Sequence, residues 1–407
     1  MNIIQCRSCL SKNLETCLDL GKQSLTGVFP SKKNQIINSG KLELVFCKNC
    51  CLLQLSRNFN RKEMYGDNYG YMSSLNPTMV QHLKTKAEKL QAQIDLIPGE
   101  VVLDIGSNDG TFLSFFKKTN IRIGIDPTIL KFRINYKKDI ITIPDFFSKE
   151  VLNRNKIYKR IKLITSIAMF YDLEDPNKFV KDIYETLDDD GIWHFEQSYM
   201  PTMIKNFSYD TICHEHLEYY SLKSLKYILD KSNFKIINIE LNQINGGSFS
   251  VTVAKRKTKK FQEFNLLEWI LKKEEIYGYN KIQNIKEFSK NVYKHKKLLR
   301  DLILNLNDMN KKVIGYGAST KGNVILQFCN FNSRNIPYIA DVNPYKKNRF
   351  TPGTNIKIID ELELKKKNAD YLLVLPWHFR EFIINKENNF IKNGGHIIFP
   401  LPEIEII

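Results

Sequence analysis

The stretch VVLDIGSNDGTFLSFF, residues 101–116, reads as an apolar strand, a glycine-rich turn and the start of a helix. Glycines at positions 106 and 110 would let the backbone come close to a ligand. The next apolar run, IRIGID, ends at Asp126, 22 residues after Asp104 (126 − 104 = 22). An acid at the end of the second strand of such a unit can bind two ribose hydroxyls. The turn is not the G-x-G-x-x-G dinucleotide fingerprint. It also lacks the Lys-Ser/Thr pair of a P-loop, so neither ligand class is expected here.

Asp104, the glycine turn and Asp126 together resemble motifs I and II of S-adenosylmethionine-dependent methyltransferases. The resemblance implies that Gly106, Ser107, Asn108 and Gly110 cradle the methionine part of the cofactor. Asp126 would hold the ribose, with Asp104 and Pro127 beside it. Segment 144–147 (PDFF) falls where that family often contacts adenine. Farther out, 161–175 and 191–200 read as strands that run into loops. Residues 234–256 read as a hairpin turning at Asn245, Gly246 and Gly247. Strands alternating with helices and ending in an antiparallel hairpin fit a seven-strand methyltransferase sheet.

The C-terminal third repeats the strand, turn and helix pattern. Residues 258–308 are rich in Lys, Glu, Leu and Ile, contain no Pro, and predict one or two amphipathic helices. KKVIGYGASTKGNVILQF then gives a strand, a turn through Gly315 and Gly317, and a helix. A second strand ends at Asp341, and 370–377 and 396–406 complete a small α/β unit.

Six of the eight cysteines lie in the first 51 residues. Cys6-x-x-Cys9 and Cys47-x-x-Cys50 form two knuckles, the spacing of a tetrahedral zinc site in a reducing compartment. Four thiolates close the metal's coordination shell, so this zinc is expected to hold the fold and not to catalyse. LTGVFP (25–30) and LELVFC (42–47) are the strands expected to return the chain between the knuckles.

In segment 209–222 (YDTICHEHLEYYSL), His214, Glu215 and His216 lie together. Two histidines two apart do not share a helix face, so a zincin is excluded. Imidazole can be neutral near pH 7, which suits a general base, while Glu215 could orient the ring or bind a hydroxyl. A buried polar network is the competing reading of the same residues. His194 is expected to pack in a strand, and His378 has no assigned role.

The 407 residues carry 61 Lys+Arg and 44 Asp+Glu, a formal charge of +17. Lysine is spread along the chain beside Asn and Ile, as on a solvated surface. The alternative is attraction to an anionic partner. Hydrophobic residues make up 43% of the chain, which excludes general disorder, and no apolar run reaches membrane-spanning length. The opening MNIIQCRSCL has no basic flank followed by an apolar stretch, so a cytoplasmic location is expected.

Taken in order, the Cys knuckles, LDIGSNDGTFL, HEHLEYYSL, GYGASTKGN (315–323) and DVNPYKKNRFTPGT (341–354) resemble the sugar C-methyltransferases. These enzymes methylate carbon 3 of nucleotide-linked 4-keto-deoxysugars. The resemblance implies an α/β protein with a zinc domain (1–75), a seven-strand Rossmann-like methyltransferase domain (76–257), and a helical linker with a C-terminal Rossmann-like domain (258–407). It implies His216 as base, with Glu215 beside it and His214 in the same segment. Tyr71 would stabilise an enolate, and Tyr69 and Tyr219 would contact substrate. Lys321 and Arg349 are the candidate diphosphate partners. Many relatives carry Tyr where this chain has Cys213, which leaves the sugar and its stereochemistry open. A monomer or weak dimer is expected, and nucleic acid is not the expected partner. SIAMFYDLEDP lacks the Asn/Asp-Pro-Pro-aromatic run of exocyclic-amine methylases, and no Pro-Cys dipeptide occurs. An RNA methyltransferase and a non-catalytic zinc- and cofactor-binding scaffold are the alternatives.

Overall fold

The computed structural model describes residues 2–65 and 71–407 and contains three sheets. The first is antiparallel and pairs the strands Leu14–Ser24, Ser39–Cys47, Leu53–Leu55 and Glu218–Tyr219 in that order. Its last strand comes from far along the chain. Leu53 lies opposite Tyr219, directly after the His-Glu-His segment.

The predicted strand at LTGVFP is not formed. The first strand lies earlier, at Leu14–Ser24, and residues 25–30 make a turn closed by Val28 N–H on the Leu25 carbonyl. Leu25 and Val28 bury themselves against Met64 from this turn. A Cβ at Gly27 would run into a Glu215 carboxylate oxygen, so here the backbone is pressed onto the His-Glu-His segment instead of a neighbouring strand.

The second sheet has seven strands. In chain order they are Val101–Ile105, Ile121–Ile125, Ile140–Ile143, Ile161–Ile167, Leu187–Ser198, Phe234–Asn242 and Ser248–Lys255, and their spatial order is 6-7-5-4-1-2-3. The first five are parallel, and the seventh is antiparallel to both of its neighbours. The inner strands are apolar because both faces are covered. All five residues of Val101–Ile105 are buried.

The expected helix after the glycine turn is reduced to a 3-10 turn, Leu113–Phe115. Asp109 caps the N–H groups of Thr111 (3.2 Å) and Ser74 (3.0 Å), so its side chain competes with helical pairing.

The C-terminal sheet has the order Lys357–Asp360, Tyr338–Asp341, Val313–Tyr316, Tyr371–Val374, His396–Phe399 and Glu405–Ile406. All are parallel but the last. The lysine-rich stretch before it forms two helices, Leu267–Ile276 and Ile282–Asp308. Among the described residues no helix is long and apolar enough to cross a membrane.

Candidate active site and zinc centre

The four predicted metal ligands come together. The sulfurs of Cys6, Cys9, Cys47 and Cys50 all lie within 4.8 Å of one another, with Cys6–Cys50 at 3.5 Å and Cys9–Cys47 at 3.4 Å. A tetrahedron of about 2.3 Å Zn–S bonds has edges of about 3.8 Å, so the donor set fits zinc. Gln54 donates to Cys6 Sγ at 3.2 Å. Arg7, buried beside the first knuckle, donates to the carbonyl of Leu55 at 2.8 Å and lies 3.9 Å from Glu218. The metal clip therefore fixes the sheet that receives Glu218–Tyr219, and through it the residues just before them.

At the C-terminal ends of the parallel strands lies a pocket of about 1110 Å³, its mouth included. Asp104, Gly106, Ser107, Asn108, Asp126 and Pro127 all line it. Gly106 and Gly110 have φ of +74° and +76°, and Asn108 also sits in the left-handed region. A Cβ at Gly106 would meet the Met169 side chain at 3.0 Å, and one at Gly110 would meet the Tyr136 ring at 2.7 Å. Asp126 Oδ2 accepts from Asn108 N–H at 3.0 Å, and Oδ1 accepts from Thr128 N–H at 2.7 Å. Asp104 is buried, accepts from Thr165 Oγ1 at 2.7 Å, and burial pushes its carboxyl up to about 7. Asp145, Phe146 and Phe147 line another part of the pocket. A glycine cradle, a strand-end carboxylate and an aromatic wall fit an adenosyl cofactor.

Tyr71 lines the same pocket and is 47% exposed. Its carbonyl accepts from Asn108 Nδ2. Tyr69 lies outside the described residues.

The His-Glu-His segment splits into two kinds of residue. His214 turns into the N-terminal sheet. Its Nε2–H donates to the Gln23 carbonyl (3.2 Å) and its Nδ1 accepts from the Thr26 N–H at 3.4 Å. Burial pushes it down to about 4.

His216 is half-buried, and its Nδ1 lies 2.8 Å from the Thr211 carbonyl. A carbonyl can only accept, so Nδ1 carries the hydrogen and Nε2 keeps its lone pair. Burial and the Lys321 ammonium push the ring down to about 3, which leaves it neutral at pH 7. Glu215 is buried, accepts from Thr26 Oγ1 at 3.4 Å, and burial raises its carboxyl. The Tyr219 hydroxyl donates to the His216 carbonyl at 3.0 Å, so it braces this turn and does not line the pocket.

His216 does not line this pocket itself; two bridges join it to the wall. Tyr171, one residue before the pocket-lining Asp172, has its ring 4.2 Å from the His216 ring. Lys321, whose charge acts on His216, donates to the carbonyl of pocket-lining Asn245 at 2.8 Å. The C-terminal domain also contributes Trp377, whose Nε1–H donates to buried Asp210 at 2.9 Å. His378 follows it, with a buried Nδ1 that has no hydrogen-bond partner. Arg349 instead donates to the Phe29 carbonyl at 2.9 Å, on the N-terminal turn.

Sequence reasoning missed Tyr65, Asp172, Asn245 and Glu196 in the pocket wall, and Trp377 and Asp210 at the domain junction. Asp210 stands in the quoted 209–222 segment and Asn245 in the hairpin turn, but neither was assigned a role, and the other four stand in no motif. The doubled glycine after Asn245 was the one signal that could have pointed there.

Three family models match in succession. Residues 6–65 match one described as "Putative zinc binding domain", 79–239 a "Methyltransferase domain", and 243–402 a "C-methyltransferase C-terminal domain". C-methyltransferase NovU of Streptomyces niveus is 28% identical over 370 residues, covering 90% of this chain and 87% of its own. Solved structures overlap less. The plantazolicin methyltransferase BpumL in complex with SAH has a TM-score of 0.34 at 13% identity, over 43% of this chain and 82% of that one. An S-adenosylmethionine-dependent methyltransferase from Clostridium acetobutylicum has a TM-score of 0.34 at 12% identity, over 43% and 92%. At that similarity neither structure adds to the argument.

Proposed function

Because the chain belongs to the S-adenosylmethionine-dependent C-methyltransferases, we propose that its acceptor is carbon 3 of a nucleotide-linked 4-keto-deoxysugar, with His216 as the general base. The observation that carries this reading is the ring of His216. Its Nδ1–H is fixed on the Thr211 carbonyl, which leaves the Nε2 lone pair free, and the ring lies within electrostatic reach of Lys321 from the C-terminal unit.

Methylating carbon requires a carbanion, and a ketone makes the neighbouring C–H acidic. His216 Nε2 takes that proton, and a neutral ring is ready to do so. Tyr71, at the pocket edge, offers a phenol to the enolate oxygen. One well-placed donor of this kind contributes about 3–4 kcal/mol to the barrier. Glu215, beside the base, would orient a substrate hydroxyl.

Lys321 and His378 supply donors for an anionic substrate. Pairing Lys321 with a diphosphate would also cancel the charge that depresses His216, so substrate binding would make the base stronger. The Gly106 turn and Asp126 would hold S-adenosylmethionine, which supplies an electrophilic methyl on its sulfonium. The chain's remaining task is alignment.

The test is mass spectrometry of protein, cofactor and a panel of freshly made nucleotide-linked 4-keto sugars. A gain of one methyl, with deuterium exchange confined to the carbon beside the ketone, is expected. His216→Ala should lower both exchange and transfer by about 10²–10⁴-fold while cofactor affinity stays the same. Bound cofactor with no methylated sugar from the wild-type chain would sink the reading, and retained turnover in His216→Ala would remove that residue as the base.

A further inference from the structure

The turn Phe170–Asp172 stands between the cofactor pocket and the His216 segment, and each of its residues is tied to something different. Phe170 is fully buried, with its ring centroid 5.3 Å from those of Trp193, Phe195 and Tyr220. The Tyr171 carbonyl accepts from Leu217 N–H at 2.8 Å, and its ring rests on His216. Asp172 faces the pocket. Its Oδ2 accepts from the Tyr65 hydroxyl at 2.7 Å, while its Oδ1 is buried and has no hydrogen-bond partner.

The groups around this carboxyl are Tyr65 on one side and Cys213, Glu215, Glu218 and Tyr219 on the other. None of them is a cation. Arg61 lines the same pocket but pairs with Glu174 at 3.6 Å. Burial, reinforced by the Glu215 charge, holds the Asp172 acid well above the usual carboxylate range. Asp172 lines the pocket while its Oδ1 lacks a protein partner, so that oxygen is available to a ligand that reaches it.

We propose that Asp172 is a further catalytic residue, a carboxylic acid whose O–H donates to the substrate's carbonyl oxygen as the enolate forms. The inference rests on the ketone-acceptor reading above. His216 Nε2 takes the proton from carbon, the C–H electron pair becomes the new C=C bond, and the C=O pair moves onto oxygen. There the Asp172 O–H meets the developing charge. When carbon bonds to the methyl group, the methyl–sulfur pair leaves with sulfur and the oxygen's pair returns to the carbonyl. Asp172 keeps its proton throughout, and His216 gives its own to solvent. Tyr65 donates to Oδ2 and so leaves Oδ1 to carry the acidic hydrogen.

The sign of the pH effect follows. An acid that must stay protonated supports turnover below its pKa, so kcat falls as pH rises through that value. Asp172→Leu should lower solvent-deuterium exchange and kcat by about 10²–10³-fold, with cofactor affinity unchanged. Asp172→Asn keeps a donor and should fall between, and its alkaline limb should disappear. Infrared difference spectra at neutral pH should show a buried C=O acid band that is missing in Asp172→Asn. This readout needs no substrate. Full exchange in Asp172→Leu, an unchanged alkaline limb in Asp172→Asn, or no difference band would each overturn the role. Exchange by neither the wild-type chain nor the variants, on any keto sugar, would instead overturn the substrate reading, and the band would still report the acid.

Discussion

The molecule contains the same local design twice and uses it differently. In the central domain the strand Val101–Ile105 runs into Gly106, and the next strand, Ile121–Ile125, is followed by Asp126. In the C-terminal domain the strand Val313–Tyr316 runs into Gly317, and the next strand ends at Asp341. Both acids accept from the turn's own backbone, Asp126 from Asn108 N–H and Asp341 from Ala318 N–H at 2.6 Å. The difference is what stands in front of them. Before Asp126 there is a pocket of about 1110 Å³. Before Asp341 stands Lys346, which donates to the Ala318 carbonyl at 2.8 Å and lies 3.8 Å from the acid. A Cβ at Gly317 would meet Pro376 at 2.6 Å, and one at Gly322 would meet Leu375 at 2.6 Å. A strand, a glycine and an acid make a crevice. Whether it stays open depends on distant residues.

A matched pair of glycine variants gives the largest expected contrast. Gly106→Val forces a β-branched residue into positive φ and against Met169 at the mouth of the pocket. Losing two backbone contacts to the cofactor would cost about 100-fold in affinity, read by calorimetry. Gly317→Val meets proline instead, so it should lower the melting temperature and leave cofactor affinity of the folded fraction alone. Equal losses of affinity would mean that both crevices bind nucleotide.

The acids sharpen the same contrast on a smaller scale. Asp126→Ala removes a carboxyl acceptor from the proposed ribose position and should weaken cofactor binding about 10–100-fold. Asp341→Ala removes the partner of Ala318, Asn343 and Lys346 and should cost about 1–3 kcal/mol of stability by urea titration, with cofactor affinity unchanged. A cofactor response to Asp341→Ala would break the distinction.

What could be read from the sequence follows the same divide. The glycine turn, each of the two cysteine knuckles and the His-Glu-His segment are short-range patterns whose spacing carries their meaning, although the last splits between two sites. The strand Glu218–Tyr219 pairs with residues more than 160 positions earlier, and no local pattern announces such a partner. Asp172 sits in the acidic run 172–175 (DLED) and reads as a solvated loop. Only the burial of Phe170 beneath it and the Tyr65 hydroxyl beside it bring this acid into the pocket wall. The helix expected after Gly110 failed for a local reason, because Asp109 bonds two nearby N–H groups, but the partner Ser74 is contributed from outside the motif.

Lys321 offers the finest test, because it belongs to the closed crevice's helix and acts on His216, the proposed base. It follows the cap Ser319 of the helix Thr320–Phe328, yet its ammonium reaches Asn245 in the central domain. His216 is held down first by burial and second by this charge. Lys321→Met keeps the stem and removes the charge, so only burial remains to oppose protonation. The folded-state pKa of His216 should then rise from about 3 by about one pH unit. The ring works as a base only when neutral, so protonation, and with it loss of the base, should begin at higher pH as acid is added. Ring resonances of His216 followed by NMR from pH 7 downward would show the shift. Lys346→Met, which removes a charge tied to Ala318 and Asp341, should leave those resonances unmoved. An unmoved His216 in Lys321→Met would mean that the C-terminal unit only walls the site, whereas a shift confined to that variant would make it an electrostatic part of the catalytic centre.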